Sequence, residues 1–230
     1  LFGSCLYVLE HVLPRYGVIV TFVDGTDLEQ WRTAITADTR AVFFESISNP
    51  ALEVINIKAV SDLAHEVGAM VVVDNVFATP ILQRPTDFGA DIVVYSATKH
   101  IDGQGRCLGG VILGDQSFIQ DELANFLRQT GPSLSPFNAW VFLKGLETLR
   151  IRMQAHSANA AELANWLNAH PKVSKVFYAG LEDHPGHALA KKQQSDFGGV
   201  VSFVVEGGRE SAWRVIDNTK MLSLTANLGD

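Results

Sequence analysis

Two cysteines in 230 residues, Cys5 and Cys107, are too few for a disulfide framework and have no metal-ligand spacing. Both read as reduced, buried small side chains. Basic residues are also scarce, with 18 Lys and Arg against 25 Asp and Glu, a net charge of −7, and no basic run. That balance argues against a nucleic-acid partner and against an anionic membrane surface. No apolar stretch approaches the roughly 20 residues that a membrane helix needs. The opening residues do not read as a secretory signal, so a cytoplasmic chain is expected. The seven histidines (His11, His65, His100, His156, His170, His184 and His187) show no ligand spacing and read as surface or core residues, which leaves no metal site. Internal repeats and low-complexity segments are missing too.

What is present is apolar and patterned. With 47% hydrophobic residues, the chain can bury a full core in one or two domains. Ala41-Val42-Phe43-Phe44, Met70-Val71-Val72-Val73, Ile92-Val93-Val94 and Val111-Ile112-Leu113 are short apolar runs that read as strands. Ile57, Val60, Leu63, Ala64 and Val67 fall at helical spacing, and Gly68 closes that helix as a C-cap. Ile119, Leu123, Phe126 and Leu127 mark another helix, and Gly131 to Pro136 a loop. A long helical pattern runs from Phe137 to about Asn168. Buried strands alternating with helices predict an α/β fold with a mainly parallel sheet and flanking helices. After Asn168 come Val173 to Val176, a turn at Asp183 to Gly186 and a strand from Val200 to Val205. This predicts part of a smaller α+β domain, with residues 1–150 and 151–230 as the two units. The first residue is Leu1 rather than Met, and the chain reads as a piece of a longer protein cut at both ends.

Polar groups follow three of the strands: Glu45 to Pro50, Asp74-Asn75, and Ser96 to Lys99. Ligands of open α/β sheets bind outside the carboxyl ends of the strands, so these segments converge on one edge. Lys99 has two readings: a surface lysine snorkelling at a helix start, or an amine that forms Schiff bases with carbonyl compounds. The hydroxyls of Ser96 and Thr98 can donate to a phosphate, and nearby backbone N–H groups can add to that cradle. Asp74 is a turn aspartate or a carboxylate facing a pyridine nitrogen. Asn49, before Pro50, is a turn residue or a hydrogen-bond partner of a bound ring. Phe2 is a core aromatic or a stacking ring. Two other motifs share these letters. Tyr95 and Lys99 have the Y-x-x-x-K spacing of short-chain dehydrogenases, but no serine lies between Asp62 and Tyr95. Ser96 to Lys99 fits S-x-x-K, yet S-D-N and K-T-G are both missing.

Taken in order, these pieces resemble the Cys/Met-metabolism family of pyridoxal-phosphate enzymes, of fold type I. The resemblance rests on Glu45-Ser46-Ile47-Ser48-Asn49-Pro50, Val73 to Pro80, Gly89-Ala90-Asp91, Tyr95 to His100, and Gly145 to Leu149. It covers essentially the whole chain and is densest between Phe2 and Arg152. It implies pyridoxal 5'-phosphate as cofactor, with the Schiff base on Lys99 and the pyridinium partner on Asp74. It further implies phosphate contacts at Ser96 and Thr98, the ring-hydroxyl contact at Asn49 and the stacking ring at Phe2. Asp102-Gly103-Gln104-Gly105-Arg106 followed by Leu108-Gly109-Gly110 looks most like the O-succinylhomoserine sulfhydrylase branch. Phe2 and Ser4 stand where lyases of the family place a tyrosine and, in methionine gamma-lyases, a cysteine. The implied reaction is γ-replacement of O-succinylhomoserine or O-acetylhomoserine by sulfide, giving homocysteine. Cystathionine synthesis and γ-elimination are the alternatives. The resemblance also implies a homotetramer with shared sites, and further site residues outside this sequence, so that this piece alone would bind cofactor poorly.

Overall fold

The computed structural model describes residues 1–230. Its centre is a four-stranded sheet in the order β1 (Ala41–Glu45), β2 (Met70–Asp74), β3 (Ile92–Ser96) and β4 (Gly110–Leu113). The first three strands are parallel, as expected of β-branched runs separated by helical segments. β4 runs antiparallel to β3, an orientation the sequence pattern did not reveal. The reason is local: β3 and β4 are joined by a turn without a crossover helix, which returns the chain in the opposite direction.

Helix Ile57–Glu66 connects β1 to β2. Asn56 caps its start by accepting from the Ala59 N–H at 3.1 Å, and Gly68 follows its end in the left-handed region at φ 76°. Ile57, Val60, Leu63 and Ala64 all face the core, together with Val71 and Val73 of β2. Burying each of the larger side chains stabilises the fold by roughly 1.5–3 kcal/mol. Residues before β1 also form elements the hydrophobic pattern missed: Gly3–Tyr7 continuing through Tyr16, and helix Leu28–Ala34. The second carried a legible signal. Asp27 caps it by accepting from the Glu29 and Gln30 N–H groups, a cap with Gln three residues on.

The long helical pattern is one uninterrupted helix, Pro136–Asn168, with the Ser135 hydroxyl capping its start. Its buried positions fall at 141, 142, 145, 149, 153, 157, 160, 164 and 167, a single face at helical spacing. The first part of this face joins the main core through Phe142, Leu149 and Met153. The second part packs Ala160 and Ala164 on Tyr178 and Leu181. There β5 (Val173–Phe177) and β6 (Ser202–Val205) form an antiparallel pair. Residue 150, where a division between units within the long helix is expected, lies inside this helix. Both cysteines are free and half-buried, less enclosed than their composition suggested.

Gly145 is where this helix meets the turn after β3. A Cβ there would lie 1.9 Å from the Ile101 carbonyl oxygen, which is backbone and cannot step aside. Gly145→Val in the complete protein is expected to cost at least ~2 kcal/mol, lowering Tm by roughly 4–8 °C in thermal unfolding. Lys144→Ala, one residue earlier and exposed, should stay within about 0.5 kcal/mol of wild type. Equal Tm values for the two variants would contradict the close approach.

Candidate active site

Parallel register aligns the strand ends. Glu45 pairs with Asp74 across β1 and β2, and the Ser46 N–H donates to the Asp74 carbonyl at 2.9 Å. The Asn75 N–H then donates to the Val94 carbonyl at 3.1 Å, joining β2 to β3. The Asn75 side chain is fully buried and ties these ends together. Its Oδ1 accepts from the Ser46 hydroxyl at 2.7 Å. Its Nδ2 donates to the carbonyls of Thr79 and Gln83 and towards the Tyr95 hydroxyl, at 3.1–3.3 Å. Thr79 holds a φ of 57°, unusual for a β-branched residue, between two bonds with Asn75.

Lys99 lies in the turn immediately after β3, half-buried. Its N–H donates to the Ser96 carbonyl at 3.2 Å, and its own carbonyl accepts from Gly103 at 2.8 Å. The amine Nζ donates to Asn227 Oδ1 at 2.9 Å, across 128 residues of sequence. Ser96, at the end of β3, is half-buried and pairs with Gly110. The Thr98 hydroxyl is engaged by backbone: it donates to the Gly109 carbonyl and accepts from the Gly109 N–H. Asn49 is exposed in the turn after β1, and its N–H donates to Glu45 Oε2 at 3.2 Å. Phe2 is 47% exposed, so it is no core aromatic; its N–H donates to the other Glu45 oxygen. Glu45 thus gathers Phe2 and Asn49 beside Asp74, while Ser96 and Thr98 flank the Lys99 turn.

Other residues build the site without having been assigned a role in it from the sequence. Arg152, from the long helix, donates to the carbonyls of His100 at 2.7 Å and Gly145 at 2.9 Å, and so clamps the Lys99 turn. Asp102 folds the following loop by accepting from Arg106 Nε at 2.7 Å and from the Cys107 N–H at 3.2 Å. Asp102 and Arg106 were visible as a motif. The contacts of Arg152 and Asn227 join segments too distant for spacing to reveal.

The electrostatics divide along the edge. Burial pushes Asp74 up to about 6; the Val76 N–H opposes this and the Glu45 carboxylate adds to it. Neither Asp74 nor Glu45 has a cationic partner among the ion pairs. His100 is pushed down to about 4, first by burial and then by His156, Arg152 and Lys99, so its ring is neutral at pH 7. Asp102 is held below the usual carboxylate range: burial raises it, but hydrogen bonds from Arg106 and the Cys107 N–H outweigh that.

Comparison with known proteins shows the family to which the chain belongs. The family model described as Cys/Met metabolism PLP-dependent enzyme matches residues 1–230. The chain belongs to that family. It is 54% identical over 229 residues to O-succinylhomoserine sulfhydrylase of Pseudomonas aeruginosa, covering 100% of this chain and 57% of that protein. It is 43% identical over 232 residues to L-methionine gamma-lyase of Fusobacterium nucleatum, covering 100% of this chain and 59% of the other. The crystal structure of metB from Corynebacterium glutamicum superposes with a TM-score of 0.96 at 38% identity, over 99% of this chain and 59% of that one. The chain thus spans under two thirds of these relatives. The family works with pyridoxal phosphate, and the donors present suit that group. A half-buried amine at Lys99 can take an aldehyde, and a half-buried carboxylate at Asp74, without an ion-pair partner, lacks the positive charge that a pyridinium carries.

The Asp74 shift has a stability consequence. Its folded value lies above the ordinary 3.8, so the folded state holds the proton more tightly. That stabilisation is fully present below pH 3.8 and is lost as pH rises through about 6. In the cofactor-free protein, Asp74→Asn should therefore gain stability over wild type at pH 7.5, on the order of 3 kcal/mol at most. The gain should vanish near pH 4. Urea unfolding of both proteins across that range measures it, and parallel curves would contradict an uncompensated Asp74.

Proposed function

We propose that the complete protein carries out γ-replacement on an activated homoserine, O-succinylhomoserine or its O-acetyl analogue, with sulfide as the incoming nucleophile and homocysteine as the product. The observation that carries this reading is the amine of Lys99, held after β3 on the same sheet edge as the uncompensated carboxylate of Asp74. Pyridoxal phosphate, when bound, supplies an electron sink for the substrate's α-carbon. Lys99 would supply the amine that holds the cofactor and the base at the substrate's α-carbon. Lys99 also carries the proton at the β-carbon, which lets succinate leave from the γ-carbon and sulfide take its place. With the cofactor bound, Asp74 would partner the ring nitrogen, Asn49 the ring hydroxyl and Phe2 the ring face. Ser96 and the backbone around Thr98 would hold the phosphate. The Thr98 hydroxyl reaches a phosphate only by sharing or exchanging its Gly109 partner.

The choice of sulfhydrylation is supported by the 54% identity to the Pseudomonas sulfhydrylase. It is supported also by Phe2 and Ser4, which offer no acid and no thiol where lyases of the family have them. Elimination is the second reading, favoured by the 43% identity to a methionine gamma-lyase. A homotetramer with sites shared between subunits, working in the cytoplasm, completes the proposal. No helix is long and apolar enough to cross a membrane.

Borohydride reduction of the cofactor-loaded complete protein, followed by peptide mapping, is expected to leave a pyridoxyl group on Lys99. A label on another lysine would overturn the assignment. Lys99→Ala should lower turnover by about 10²–10⁴-fold or more. Supplied with O-succinylhomoserine and sulfide, the wild type should give homocysteine. If 2-oxobutanoate and ammonia dominate even with sulfide present, elimination is the reaction.

A further inference from the structure

Glu45 ends β1 with a buried side chain, 8% exposed, and no cation to balance it. Its two carboxylate oxygens are used separately. Oε1 accepts the N–H of Phe2, 43 residues away, and Oε2 accepts the N–H of Asn49 at 3.2 Å. In the sheet, Glu45 stands directly beside Asp74. A carboxylate placed next to another carboxylate, out of water and without a counter-charge, costs stability. A merely structural tie at this position could be made without that charge. We propose that Glu45 is a positioning residue of the cofactor site: it locks Phe2 and Asn49 to the strand pair that ends on Asp74, so that the three groups present one fixed frame to the ring. This inference rests on the reading that those three residues contact pyridoxal phosphate.

The chemistry of the two ends explains why the residue is Glu. A carboxylate accepts at both oxygens, whereas Gln accepts at one and offers a donor at the other, so one of the two N–H groups would lose its partner. The Phe2 N–H tie fixes the backbone from which the stacking ring hangs, and the Asn49 tie fixes the turn that carries the amide. The other titratable groups near the pair, the Cys5 thiol and the Tyr95 hydroxyl, are both pushed up by burial first, with Asp74 adding to the shift. Neither supplies charge at neutral pH, so the added negative charge beside Asp74 comes from Glu45.

The test uses the complete protein and pyridoxal phosphate itself. Three quantities are read: the dissociation constant of the cofactor, the visible circular dichroism of the bound cofactor, and the Tm of the cofactor-free protein. Glu45→Gln is expected to weaken binding about tenfold and to diminish the visible dichroism, with a cofactor-free Tm no lower than wild type. Phe2→Ala should weaken binding more modestly. The double variant should lose less than the two losses multiplied, because Glu45 acts partly through Phe2. Glu45→Asp keeps the charge but withdraws both oxygens, and it should lose dichroism as Glu45→Gln does; it decides alone if Glu45→Gln does not fold. Wild-type binding and dichroism in the Glu45 variants would overturn the proposal. So would a lowered Tm with unchanged dichroism, the mark of a purely structural role. If the wild-type protein itself shows no Schiff-base absorbance with saturating cofactor, the reading of the site fails. If it shows that band and the Glu45 variants match it in all three measures, only the positioning role fails.

Discussion

One side-chain amide holds the working edge of this protein together. Asn75 follows β2 with no exposed surface, and its carbonyl and amide groups reach β1, β3 and the turn before Gln83 at once. Polar groups buried this deeply are tolerated only when satisfied, and here each bond ties a different segment. The ends of three parallel strands are thereby fixed relative to one another. Glu45, Asp74 and the Lys99 turn take their places from that arrangement rather than from contacts among themselves.

The edge carries negative charge without a cation beside it, and that is costly in the empty fold. Asp74 and Glu45 lie side by side without a cation, and burial pushes Asp74 up to about 6. Next to Lys99, His100 is also buried, and neither ring nitrogen has a hydrogen-bond partner. Its ring packs edge-on against His156 at 5.6 Å between centroids. An uncharged imidazole keeps further positive charge away from the Lys99 turn, where Arg152 already supplies one guanidinium. Such local costs are characteristic of sites whose groups are arranged for a ligand rather than for the empty fold.

Much of this was legible in the sequence, for identifiable reasons. The runs at Val71–Val73 and Ile92–Val94 declared buried parallel strands because β-branched residues fill both faces of a covered sheet. Once those strands were placed, Asp74 and Lys99 fell at their carboxyl ends. The antiparallel course of β4 was not legible, since an apolar run has the same pattern in either direction. Phe2 read by default as a core aromatic, with stacking on a planar ring as the alternative, and its 47% exposure argues against the core. The Arg152 clamp and the Asn227 contact join segments 52 and 128 residues apart, beyond the reach of any local pattern. The Thr98 hydroxyl was read as a donor to a phosphate, and the antiparallel return of the chain brings Gly109 against it, which spacing alone does not reveal.

The central claim is that the Asn75 amide fixes the carboxyl-terminal edge of the sheet as a unit. Native-state hydrogen exchange on Asn75→Ala tests it most directly. The account predicts that the N–H groups of Ser46, residue 75 and Gln83 lose protection together, by about a hundredfold, while Met70 and Asp91 at the opposite edge keep theirs. Uniform loss across the sheet, or wild-type protection at Ser46 and Gln83, would contradict it.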